Sequence, residues 1–194
     1  HNGGAVGIRA NGPEDIAAIR AAVPLPVIGI QKRMMEDGRV LITPTLEDAR
    51  ALVAAGATAI ALDCTARGQR YGAKERVAAI HRDLCVPVLA DVATEADALA
   101  AVDAGVDMVL PTLRGYTEDT RDVTSFDRQF LEKLAKSLPV PVIAEGMIHS
   151  PEQARQALGA GAWAVVVGTA ITRPHEITRA FVRALRKPPD EDSR

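Results

Sequence analysis

An ammonium group closes one of the most apolar runs of this 194-residue chain: "PVIGIQKR" (26–33) leads branched apolar residues straight into Lys32. A buried lysine without a partner is costly, so either the strand stops at the surface or the lysine has a chemical use. Other apolar runs end in the same way. Arg9 closes "AVGIR", Asp63 closes "AIALD", Asp91 closes "PVLAD" and Glu145 closes "PVIAE". Amines and carboxylates are the groups of acid–base exchange, and arginines beside them bind anions. A second set points to a phosphate. "GAWAVVVGTAITRP" (161–174) ends an apolar run with Gly168 and Thr169 and then supplies Arg173, while Gly146 directly follows Glu145. Glycines after strands are common in turns, but two of them with an arginine resemble the backbone N–H cradles that hold phosphate.

Side chains alternate between the faces of a strand, so the parity of a position can be compared between runs. Three runs begin with a proline-valine pair at Pro26, Pro87 and Pro141; from those prolines Lys32 lies at offset six and Asp91 and Glu145 at offset four. Gly56, Gly105 and Gly161 precede three other runs, with Gly4 before the first; from these Arg9 lies at offset five and Asp63, Thr112 and Gly168 at seven. The first class is all even and the second all odd. Within each class the polar ends therefore share one face and one end of the sheet. Two readings stand: strand-end charges that are merely solvated, and a polar ring into which Lys32 points. Shared parity favours the ring.

The elements that must hold these residues alternate regularly. Strands are expected at 5–9, 26–32, 59–64, 87–91, 108–113, 141–145 and 164–168, separated by stretches with the 3.6-residue period of one-sided helices. Several of these helices open with Thr or Ser followed by Glu or Gln, as helix starts prefer. Proline-led and glycine-led strands take turns, and the series lacks a proline-led strand before the first. This internal order predicts an α/β fold, a (β/α)8 barrel of the phosphate-binding type, with its first β/α unit missing from a chain that starts "HNGGAV". One barrel domain is expected over 1–186, carrying strands two to eight, with 187–194 as an acidic tail or linker. An open doubly wound sheet competes, but its glycine fingerprint after the first strand is absent.

Bulk properties narrow the class further. The formal net charge of -2 gives no electrostatic reason to expect nucleic acid or an anionic membrane as a partner. No apolar run is long enough to span a bilayer, and Cys64 and Cys85 have no metal-type spacing, so a reducing cytoplasm is the expected location. Among weaker candidates, His149 either contacts substrate or faces solvent, and Tyr116 either roofs the site or packs. His81 and His175 are expected on the surface and Trp163 in the core.

Taken together, "GAVGIR", "VIGIQKR", "ITPTLEDA", "IALD", "LADV", "TLRGYT", "PVIAEG" and "GAWAVVVGTAITRP" resemble the N-acylglucosamine-6-phosphate 2-epimerase family, also called N-acetylmannosamine-6-phosphate epimerases. The likeness runs from residue 4 to about 185. It implies interconversion of N-acetylmannosamine 6-phosphate and N-acetylglucosamine 6-phosphate in sialic acid and amino sugar catabolism, with no metal and no organic cofactor. By that resemblance Lys32 and Glu145 are catalytic, Arg9, Asp91 and Arg173 bind substrate, and Gly146, Gly168 and Thr169 cradle the phosphate; parity adds Asp63 to the substrate-binding set. An amino sugar phosphate is the implied partner, with a homodimer and a fusion or pairing with a sugar kinase as further candidates. The chain departs from the family at Met34, Gln69, Pro111 and Arg114, all in loops. A catalytically silent sugar-phosphate-binding barrel and a different phosphate-binding barrel enzyme are the alternatives.

Overall fold

Short runs rich in Val, Ile and Ala, each led by proline or glycine, form strands, and the one-sided stretches between them form helices. The computed structural model describes residues 2–185, so the acidic segment expected at 187–194 lies outside the described residues. In chain order the elements are β1 (Ile8–Asn11), α1 (Pro13–Ala22), β2 (Val27–Ile30), β3 (Lys32–Met34), β4 (Val40–Ile42), α2 (Leu46–Ala54), β5 (Ala59–Asp63), α3 (Ala66–Arg70) and α4 (Ala73–Leu84). There follow β6 (Val88–Asp91), α5 (Glu95–Asp103), β7 (Met108–Leu110), a 3-10 turn at Glu118–Thr120, α6 (Arg128–Ser137), β8 (Ile143–Ala144), α7 (Pro151–Gly159), β9 (Ala164–Val165), α8 (Thr169–Thr172) and α9 (Pro174–Leu185).

Strands β1, β2, β5, β6 and β7 lie side by side in that order, all parallel. A parallel bridge between Val109 and Val142 carries the order on to the parallel pair β8 and β9. Seven parallel strands in chain order, with a helix between each and the next and the β3–β4 hairpin inserted after β2, make the barrel arrangement. Thr45, Thr94 and Ser150 cap α2, α5 and α7 through their side-chain oxygens, and Thr94 forms a reciprocal capping box with Asp97.

Alternation along the strands sorts apolar side chains into two cores. Val27, Ile60, Leu62, Val88, Ala90, Val109, Val142 and Ala144 face the helices, where Ile16, Leu52, Val77, Ile80, Leu131 and Leu134 meet them. Ile30, Ala61, Leu89, Leu110 and Ile143 form the inner cluster, the face with the parity of the polar strand ends.

Two expectations are corrected. The second strand, expected through Lys32, stops at Ile30 because Thr43 takes both backbone groups of Gln31: Gln31 N–H donates to the Thr43 hydroxyl at 3.1 Å, and Gln31 C=O accepts from Thr43 N–H at 2.7 Å. The chain then leaves the sheet as the antiparallel hairpin β3–β4, in which Lys32 pairs with Ile42. Trp163, expected in the core, is 65% exposed, since it precedes β9 and no described element covers it.

Candidate active site

Arg9, Asp91 and Glu145 come from β1, β6 and the end of β8, strands too far apart in the sheet to be ladder neighbours. Their side chains meet across the barrel interior. Arg9 donates from Nη1 to Asp91 Oδ1 at 2.9 Å, from Nη2 to Asp91 Oδ2 at 2.6 Å, and again from Nη1 to Glu145 Oε2 at 2.8 Å. The three groups are nearly sealed from solvent, with side-chain exposures of 6%, 0% and 16% for Arg9, Asp91 and Glu145. One cation between two buried carboxylates leaves an excess of negative charge, and the site resolves it at Glu145. Burial pushes the Glu145 carboxyl up to about 7; Arg9 pulls it down, Asp91 pushes it up, and the Lys32 ammonium pulls it down. Burial works against the charge on Arg9, but the flanking carboxylates outweigh it and its pKa is raised.

Lys32 reaches the same compartment by a different route. It is the first residue of the hairpin, its backbone N–H donates to Asn11 Oδ1 at 2.8 Å, and its side chain is exposed at the mouth of the cavity that Glu145 also lines. Its charge acts on Glu145 through space. The apolar strand residues that precede Lys32 do not cover it, because the hairpin lifts it clear of the inner apolar cluster. Arg33 turns away from it and donates to Asp48 Oδ1 from Nε at 3.0 Å and Nη2 at 2.7 Å.

Asp63 closes β5 beside Asp91 in the register. It is 3% exposed, and its Oδ1 accepts from the backbone N–H of Thr65 at 3.0 Å and the Thr65 hydroxyl at 2.6 Å. Burial raises its pKa against these bonds. Asp63 thus supports the turn into α3 as well as lining the cavity.

Gly146, Gly168, Thr169 and Arg173 line the same cavity, on the side formed after β8 and β9. Gly146 has φ +107°, followed by Met147 at +55°, so the chain turns sharply away after Glu145. Gly168 opens α8 without a side-chain cap. His149 and Tyr116 are exposed at the rim. His81 lies away from the mouth and pairs with Asp107 at 2.8 Å. Of the departures from the family pattern expected in loops, Met34 lies in β3 and Gln69 in α3, while Arg114 is held by Asp127 at 2.8 Å, lies 3.9 Å over the Phe130 ring and lines a small pocket with Glu145 and Gly146. Asn11 was not among the expected site residues. It stands at offset seven from Gly4, the offset of Asp63 and Gly168, so the parity rule already contained it.

Comparison with known proteins places this arrangement. The family model described as "Putative N-acetylmannosamine-6-phosphate epimerase" matches residues 1–187. A protein of Caldanaerobacter subterraneus subsp. tengcongensis named "Putative N-acetylmannosamine-6-phosphate 2-epimerase" is 44% identical over 190 residues, covering 95% of this chain and 79% of that protein. The solved N-acetylmannosamine-6-phosphate 2-epimerase of Clostridium perfringens is similar with a TM-score of 0.88 and 40% identity, over 95% of this chain and 81% of that one. Thiamine phosphate pyrophosphorylase from Pyrococcus furiosus, at 19% identity and a TM-score of 0.59 over 87% of this chain and 75% of that one, shares the fold alone. With its model matched along almost the whole length and these relatives beside it, the chain belongs to the N-acetylmannosamine-6-phosphate epimerase family.

Proposed function

We propose that this protein interconverts N-acetylmannosamine 6-phosphate and N-acetylglucosamine 6-phosphate by removing the C2 proton of the open-chain sugar and returning it on the opposite face. Lys32 is the base: in its neutral form its amine takes the proton from C2 while the C–H electron pair moves toward C1 to leave an enolate, and the ammonium so formed gives the proton back once the enolate has turned its other face to it. Glu145, held near neutrality, donates to the C1 or ring oxygen as charge builds there and recovers the proton when the carbonyl is restored. Arg9 keeps Glu145 aimed at that oxygen, and its positive charge stabilises the enolate. Asp91 and Asp63 hold the polar floor, while Gly146, Gly168, Thr169 and Arg173 anchor the 6-phosphate so that binding energy positions C2. The observation that carries this reading is the Glu145 carboxyl, nearly sealed from solvent, held by Arg9 at 2.8 Å and lining one cavity with Lys32.

The step belongs to amino sugar and sialic acid catabolism. A phosphoryl transfer to the sugar 6-hydroxyl must supply the substrate, which supports a sugar kinase as functional neighbour. A homodimer and a cytoplasmic location are parts of the same proposal, the latter supported by two unpaired cysteines, one of them exposed. The test is exchange of the C2 proton in heavy water, followed by NMR on either sugar phosphate. Wild type is expected to incorporate deuterium and epimerise, and Lys32→Ala to do neither while keeping its fold. Binding without exchange by the wild type would turn the reading to a silent sugar-phosphate sensor.

A further inference from the structure

Thr43 has φ 48°, a left-handed conformation that a β-branched residue rarely adopts. It is fully buried, and its hydroxyl is doubly engaged: it donates to the Ala61 carbonyl on β5 at 2.7 Å and accepts from Gln31 N–H at 3.1 Å. A residue strained in this way persists only where its surroundings fix it, and such positions cluster at functional sites. Here the surroundings are the base of the hairpin that carries Lys32. Gln31 would have continued β2 along the sheet, but its backbone N–H and C=O are both diverted to Thr43. The chain therefore leaves the sheet one residue before Lys32. Across the hairpin Ile42, which immediately precedes Thr43, pairs with Lys32 and is anchored in the inner apolar cluster. From the other side Asn11 accepts the Lys32 backbone N–H.

We propose that Thr43, with Asn11 opposite it, is a positioning residue that sets where the Lys32 amine meets the substrate carbon. The proposal rests on the epimerase reading above. The Thr43 hydroxyl ties the hairpin base to β5, and the left-handed backbone sets the direction in which the hairpin leaves. The rest of the hairpin is held independently. Arg33 binds Asp48 at the start of α2, and Arg67 on α3 donates to the Val40 carbonyl at 2.9 Å and to Asp37 at 3.0 Å. Removing the hydroxyl thus shifts the base of the hairpin without releasing the hairpin.

Steady-state kinetics and C2 exchange of Thr43→Val, Thr43→Ser and Asn11→Ala, with thermal midpoints for each, test this. Thr43→Val is expected to lower kcat about tenfold to hundredfold, the cost of misplacing a reacting group by a fraction of an ångström to an ångström, with KM kept within about twofold by the distant phosphate anchor. Thr43→Ser keeps the hydroxyl and recovers most of kcat. Full kcat in Thr43→Val, a loss confined to KM, or a serine variant no better than valine would overturn the proposal. If Thr43→Val does not fold, Asn11→Ala decides, its side chain being at the exposed mouth: reduced kcat at an unchanged midpoint supports positioning, and wild-type kcat refutes it. A wild-type protein that shows no exchange overturns the epimerase reading itself, which separates that failure from this one.

Discussion

Glu145 owes its raised pKa first to burial, against the pull of Arg9, and then to Asp91. Burial disfavours its anion, and Asp91 adds a like charge on the same Arg9 nitrogen, Nη1, that donates to Glu145. Asp91→Asn removes that like charge and leaves more of the Arg9 field to Glu145, so both changes favour the ionised carboxylate. The apparent pKa near neutrality in the kcat profile is therefore expected to move to lower pH in this variant. A pH–rate profile measures it; an inflection that stays put or rises would show that Asp91 does not act on the group that limits turnover. At this scale the sequence was unusually legible. Arg9, Asp91 and Glu145 were found because alternation is a local rule that needs no knowledge of the partner strand. Asn11 obeys the same rule, yet an uncharged amide at a strand end gave no electrostatic reason to single it out. What parity does not contain is the contact across the interior, which depends on how strands distant in sequence curl around one another.

At the scale of elements, the β3–β4 hairpin was the largest surprise. Strands of three residues are too short to display a period of two, and the apolar run before Lys32 reads on smoothly into it. Asp37-Gly38 between them is a hairpin turn signal that could have marked the site. The neighbouring element, α3, is placed by a second local device. Gly68 sits so close to the end of β5 that a Cβ there would lie 2.0 Å from the Asp63 carbonyl oxygen and 2.8 Å from Asp63 Oδ1. The atoms in the way belong mainly to backbone, so α3 must move for any larger residue to fit. Gly68→Ala is expected to destabilise the protein by roughly 1–3 kcal/mol, the usual cost of overpacking, and to loosen the Asp63–Thr65 bonds that α3 backs. Urea denaturation gives the first quantity. An alanine variant with the wild-type midpoint would mean that α3 can slide away from β5 freely and does not fix Asp63.

For the molecule as a whole, the barrel was readable because its unit repeats: proline-led and glycine-led strands alternate, and one amphipathic period recurs between them. Repetition averages away the errors of any single element, whereas the site, built once, gets no such help. The same architecture makes an internal acid a determinant of global stability. Glu145 has a folded pKa of about 7 against the ordinary 4.5 of a glutamate, so between those values the folded state holds a proton that the unfolded chain has released. The sign follows directly. With the folded pKa raised, the stabilisation of the neutral carboxyl is fully present below about pH 4.5 and is lost as pH rises through about 7. Glu145→Gln keeps the shape and the neutral state but has no proton to lose, while Arg9 retains its two bonds to Asp91. The difference in Tm, variant minus wild type, is therefore expected to grow more positive from about pH 5 to about pH 8 as the wild type alone loses this contribution. Thermal melts across that window measure it. A difference that is flat, or that falls with pH, would mean that Arg9 and Lys32 hold the Glu145 anion better than burial disfavours it, and the near-neutral acid on which the proton-transfer mechanism depends would be gone.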